Sequence, residues 1–153
     1  MWRVMLVDDE PLVLEGMRVM VDWNRYSFDI CGEATDGSEA LELIGELRPD
    51  VVFTDIRMPL LTGIDLIQRT NESMKQPPTF VILSGYDDFS YAQTAMRENV
   101  SDYLLKPIDE QEIETVLKRL QQELGQKQRT NEEMEQKRQL LVSTSGPDSY
   151  AAR

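Results

Sequence analysis

Asp8, Asp9, Glu10, Asp55, Ser84 and Lys106 each stand at the end of a short apolar run, and together they could do chemistry. Gathered in one place, Asp8, Asp9 and Asp55 repel one another when ionised, so either one is protonated or a cation sits among them. Oxygen ligands without His or Cys select a hard ion, and two carboxylates with water and a backbone carbonyl suit Mg²⁺. Lys106 adds a fixed positive charge, and Ser84 adds a hydroxyl. A divalent ion and an ammonium could hold an incoming phosphoryl group, with the hydroxyl on one of its oxygens. Asp55 is then placed as an oxygen nucleophile that forms an acyl phosphate. Each residue alone has a structural explanation: an Asp after a strand caps a helix, Ser-Gly makes a turn, Lys-Pro makes a loop. Their occurrence in order at the ends of four strands is what points to a site.

The elements that would position them alternate. Apolar runs at 3–7, 29–34, 51–54, 79–83 and 102–105 read as strands. Between them lie helical patterns. The first opens at Pro11, with Leu14, Met17 and Val21 at helical spacing. The second has Ser38 as its expected N-cap and Leu41, Ile44 and Leu47 on one face, and Pro49 ends it. Two more are expected over 63–73 and 89–100, and a fifth begins near Asp109. This alternation predicts an α/β fold with a parallel sheet covered on both faces, where function collects at the carboxyl ends of the strands. The last helix carries Ile113, Leu117, Leu120 and Leu124 in a heptad seam that weakens through Lys127, Asn131, Met134 and Arg138 before Leu141. Helical from 109 to 142, it would reach roughly 50 Å. Residues 143–153 are polar, contain Gly146-Pro147 and read as a disordered tail. The expected division is a domain over 1–125, a helical linker or coiled coil over 126–142, and that tail.

Composition excludes several functions. A formal charge of −12 repels nucleic-acid phosphates, so DNA contact would need a further domain. With no histidine, any step that needs an imidazole must borrow it from a partner. The lone Cys31 permits no internal disulfide and is expected to be a buried thiol. No apolar run reaches membrane-spanning length, and the N-terminus is too charged for a signal peptide, so a cytoplasmic location is expected.

The stretches "LVDDE" (6–10), "FTDIRMP" (53–59), "LSGYDDF" (83–89) and "DYLLKPID" (102–109) make the chain resemble receiver domains of two-component response regulators. The wording of "TDIRMP" and "SGYDDF" is similar to receivers attached to AraC-type DNA-binding domains. The resemblance covers 1 to about 125. It implies a flavodoxin-like, doubly wound five-stranded parallel sheet of order 2-1-3-4-5, here with an extended C-terminal helix. It implies Asp55 as phosphoacceptor, served by a phosphohistidine on a sensor histidine kinase. Asp8 and Asp9 would form the acidic pocket, and Mg²⁺ would be held by Asp9, Asp55 and the backbone carbonyl of Arg57. Ser84 would bind a phosphoryl oxygen, Lys106 would pair with the phosphate, and the Lys106–Pro107 bond would be cis. Ser84 and Tyr103 would form the switch. The signal would pass to a homodimer through the fourth helix, fifth strand and fifth helix, or through the C-terminal helix. Such a chain is a regulator rather than an enzyme, limited to taking up and slowly losing its own phosphoryl group.

Arg57 and Tyr86 are bulky where many receivers carry smaller groups, and both are expected to slow hydrolysis of the acyl phosphate. Two other functions are consistent with the residues. A Mg²⁺-dependent phosphohydrolase would use the same nucleophile but needs a second Asp where Arg57 stands. A degenerate receiver would bind partners without phosphorylation, against the retention of every site residue.

Overall fold

The computed structural model describes residues 1–85, 88, 90 and 100–151, with side chains as far as 142. Five parallel strands form one sheet in the order β2-β1-β3-β4-β5: β1 (Trp2–Val7), β2 (Phe28–Ala34), β3 (Val51–Asp55), β4 (Thr79–Ser84) and β5 (Val100–Leu105). The order is the one expected, and the central strands show why the chain adopts it. Val4 to Val7 on β1, all of β3 and Phe80 to Ser84 on β4 are buried, as strands covered on both faces must be. Phe53 and Phe80 are fully buried, each contributing about 1.5–3 kcal/mol through lost water contact.

The helices α1 (Pro11–Met20), α2 (Gly37–Leu47) and α3 (Gly63–Ser73) follow β1, β2 and β3. Leu14 and Met17 carry the buried face of α1, and Ala40 and Ile44 that of α2. A short 3₁₀ turn, Trp23–Tyr26, lies between α1 and β2, and its Trp23 ring meets Phe53 edge-on at 5.4 Å. Its Tyr26 donates to Glu114 Oε2 at 2.9 Å.

Three local expectations need correction. The N-cap of α2 is Asp36, not Ser38: its carboxylate reaches the Glu39 N–H at 2.7 Å, and Ser38 is already inside the helix. Cys31 is half-buried rather than buried, because β2 is an edge strand, and partial burial raises its thiol pKa. The helix expected over 89–100 falls almost wholly outside the described residues, and Val100 opens β5 instead of closing that helix.

The C-terminal helix spans Glu110–Ala151. Its backbone is helical on through 143–151, the stretch expected to be a disordered tail. The chain divides into two compact units, Met1–Leu117 and Lys118–Arg153. In the first, Ile113, Val116 and Leu117 are buried. In the second, Leu120 is buried while Met134, Leu140, Leu141 and Val142 are exposed. Among the described residues, no helix is long and apolar enough to cross a membrane.

Candidate functional site

Strand register assembles the site. Val7 lies opposite Thr54, so Asp8 and Asp55 follow at one level. Asp55 lies opposite Leu83, and Ser84 opposite Leu105, which brings Ser84 and Lys106 to the same edge. The Lys106 N–H donates to the Ser84 carbonyl at 2.8 Å, and the Asp8 N–H to the Ala34 carbonyl at 3.1 Å. Both bonds carry the ladder one residue past the strands. The Lys106–Pro107 peptide is cis.

The ammonium of Lys106 is the hub. Its Nζ lies 2.8 Å from Asp8 Oδ2, 3.3 Å from Asp55 Oδ2 and 3.9 Å from Glu10 Oε1. Asp55 Oδ1 accepts from the Ile56 N–H at 2.9 Å, and Asp8 Oδ1 from the Glu10 N–H at 2.9 Å. Gly63 lets the start of α3 press against this corner: a Cβ there would lie 2.2 Å from the Asp55 carbonyl oxygen, so a side chain would push the strand end aside.

The electrostatics show a shortage of positive charge. Burial, then the neighbouring Asp8 charge, pushes the Asp55 carboxyl up to about 6, against the pull of Lys106. Burial also raises Asp8. Burial alone would lower Lys106, but its pairing with Asp8 and Asp55 outweighs that and raises it. Asp8 Oδ2 is fully buried and lies 2.8 Å from the Lys106 ammonium, and as a carboxylate oxygen it can accept from a further donor or a cation. Asp8, Asp9 and Glu10 present carboxylate oxygens within 4.8 Å of one another. This all-oxygen, electron-rich corner fits a hard divalent cation.

On the other side, Ser84 Oγ donates to the Tyr103 hydroxyl at 2.5 Å and approaches the Gly85 carbonyl at 3.3 Å. Tyr103 is half-buried against the core. Ser84, at the end of β4, and Tyr103, within β5, are therefore already joined. Arg57 stands two residues past Asp55, and its side chain forms an ion pair with Asp88. Tyr86 lies outside the described residues.

Sequence reasoning missed two features. Asp88 was not singled out, although an acid four residues past Ser84 is the natural partner for a bulky cation two past Asp55. Leu60 is the second, and no local pattern marks it. Its φ is 71°, the Leu61 N–H donates to the Pro59 carbonyl at 2.8 Å across it, and its side chain is 84% exposed. It forms the apex of a positive-φ γ-turn, a strained conformation for a bulky residue.

Comparison with known proteins agrees with this geometry. A sequence profile described as response regulator receiver domain matches residues 4–118. The transcriptional regulatory protein HptR of Staphylococcus aureus is 40% identical over 131 residues, covering 86% of this chain and 51% of that protein. The chain thus spans about half the length of the curated relatives it matches. The REC domain of AraT, a response regulator from Geobacillus stearothermophilus, is 42% identical with a TM-score of 0.78, covering 83% of this chain and 98% of that one. A two component transcriptional regulator AraC from Clostridium phytofermentans is 34% identical with a TM-score of 0.75, covering 84% of this chain and 98% of the other.

Proposed function

The chain belongs to the response regulator receiver domain family of two-component systems, and on that premise we propose that Asp55 accepts a phosphoryl group and switches the output of a transcription regulator. The observation that carries the reading is Lys106, held between Asp8 at 2.8 Å and Asp55 at 3.3 Å at the carboxyl edge of the sheet.

In the step, an Asp55 carboxylate oxygen attacks phosphorus. An O–P bond forms as the N–P bond to a phosphohistidine breaks, and the imidazole leaves with the electron pair and takes up a proton. The donor histidine belongs to a sensor kinase, as this chain has none. Asp9, Asp55 and the Arg57 backbone carbonyl, with Asp8 alongside, would hold Mg²⁺, which when bound would supply charge neutralisation of the phosphoryl oxygens. Lys106 pairs with the transferred group and keeps Asp55 oriented. Ser84 gives up its bond to Tyr103 to donate to a phosphoryl oxygen, and Tyr103 reports the exchange on the β5 surface. Arg57 and Tyr86 slow hydrolysis of the acyl phosphate.

Residues 1–125 act as the receiver, and 126–142 act as a helical linker, with 143–153 as a tail. Dimerisation uses β5 with the elements beside it or the C-terminal helix, and DNA is contacted only by a further domain of a longer protein.

The test is intact mass after incubation with acetyl phosphate and Mg²⁺, with light scattering on the same samples. Addition of one phosphoryl group is expected, lost in Asp55→Ala and on chelation of the metal. Uptake that survives Asp55→Ala would end the reading, and catalytic turnover of a phosphate ester would replace it with a phosphohydrolase.

A further inference from the structure

The Arg57–Asp88 pair joins the segment after β3 to the segment after β4, the two that border the nucleophile. Its halves differ. Asp88's side chain is 9% exposed, whereas the Arg57 side chain is 75% exposed. The largely buried carboxylate depends on its cation more than the cation depends on it, because fewer waters can reach the carboxylate to replace that partner. The guanidinium does not depend on the carboxylate in the same way, since water can take its place. Beside the pair lies a cleft of about 270 Å³ lined by Ile56, Arg57, Thr62 and Asp88, which leaves the guanidinium room to turn. Arg57 is two residues from Asp55, and a phosphoryl group there brings close to two negative charges and three acceptor oxygens. Guanidinium pairs more strongly with such a group than with one carboxylate.

We infer that Arg57 is a positioning residue that exchanges partners: it clasps Asp88 in the unphosphorylated chain and moves to the phosphoryl group when Asp55 carries one. The exchange rests on the phosphoacceptor role proposed above. It does two things. It shields the acyl phosphate, and it strips Asp88 of its counter-charge. It couples the site to Asp88 separately from the Ser84–Tyr103 pair. Asp88 and the phosphoryl group then compete for one cation, and removing Asp88 favours the phosphorylated state.

The experiment follows decay of the phosphoryl group by intact mass, after the full chain has been loaded with acetyl phosphate and Mg²⁺ and freed of donor. Asp88→Asn is expected to lengthen the lifetime about two- to fivefold, the size of a partly exposed ion pair. Arg57→Gln shortens it by a similar factor, and Arg57→Lys restores most of the wild-type lifetime. The double variant Asp88→Asn with Arg57→Gln decays as Arg57→Gln alone. The charge swap Arg57→Asp with Asp88→Arg rebuilds a pair but sets an anion beside the phosphoryl group, and its lifetime falls below that of Arg57→Gln. An unchanged lifetime in Asp88→Asn, an Asp88→Asn effect that persists without Arg57, or a swap with wild-type lifetime overturns the exchange. A wild-type chain that takes up no phosphoryl group sinks the phosphoacceptor role and the exchange with it, whereas uptake with identical decay in all variants sinks the exchange alone.

Discussion

Lys106 reaches its carboxylates from a strand end with 20% of its side chain exposed, and Asp8 beside it is fully buried. Arg57 reaches Asp88 with three quarters of its side chain in water. Both are cation–carboxylate pairs on one edge of one sheet, but solvent treats them differently. The Lys106 cluster is desolvated, so its charges shift one another's proton affinities and hold a set geometry. The Arg57 pair is screened on one side, so it can be remade at low cost. One pair suits stabilising a reacting group, and the other suits responding to it.

Removing the buried hub puts the greatest demand on that contrast. Lys106→Met leaves Asp8 and Asp55 without their cation. Phosphoryl uptake from acetyl phosphate is expected to fall by about a hundredfold. The fold is expected to lose about 3 kcal/mol at neutral pH, read by urea unfolding. A loss no larger than that of Arg57→Gln would erase the distinction between the pairs.

The pH dependence sharpens it. Asp55 titrates at about 6 in the fold against 3.8 for an ordinary aspartate. The folded state therefore binds the extra proton between those values. The resulting stability is complete below pH 4 and is lost as the pH rises through 6. In metal-free protein the loss is expected to be about 2–3 kcal/mol, and Asp8, raised in the same direction, adds to it. Asp55→Asn removes most of this slope, and Mg²⁺ at pH 7 restores stability by binding only the folded site. Metal-free unfolding curves that coincide at pH 4.5 and pH 7 would refute the desolvated cluster.

A neutral contact gives the middle of the scale. Tyr103→Phe removes the hydroxyl that accepts from Ser84. It is expected to cost about 1 kcal/mol in thermal or urea unfolding and to leave phosphoryl uptake within about twofold. The smallest effect concerns Leu60, which gains nothing from burial and stands at positive φ. Leu60→Gly is expected to stabilise the fold by about 0.5–1 kcal/mol in the same measurement. A destabilised variant would show that the turn holds Leu60 for another reason.

The order of elements was legible in the residues because each strand is a short apolar run bounded by polar or turn residues. The span of α3 matched at both ends because Thr62 caps it through its hydroxyl and Gly63 opens it. Boundaries slipped where the deciding atom lay one or two residues away. Asp36 outcompeted Ser38 as a cap, and Val100 joined β5 because Phe80 pairs with it across the sheet. The heptad seam marked the start of the last helix but not its end, since seam residues report packing and the apolar seam weakens after Leu124.

By itself the sequence determined which chemical groups exist: carboxylates, one hydroxyl and one ammonium at strand ends, and no imidazole. These are properties of residue type and local spacing, which survive in any conformation that preserves the strands. Tertiary structure alone decided which of them meet. Pairing register set Asp8 level with Asp55 and brought Lys106 within 3.3 Å of both. Desolvation then moved the Asp55 titration, and the approach of two segments 31 residues apart gave Arg57 to Asp88. Distance and water exclusion depend on residues far apart in the chain, so no local pattern encodes them.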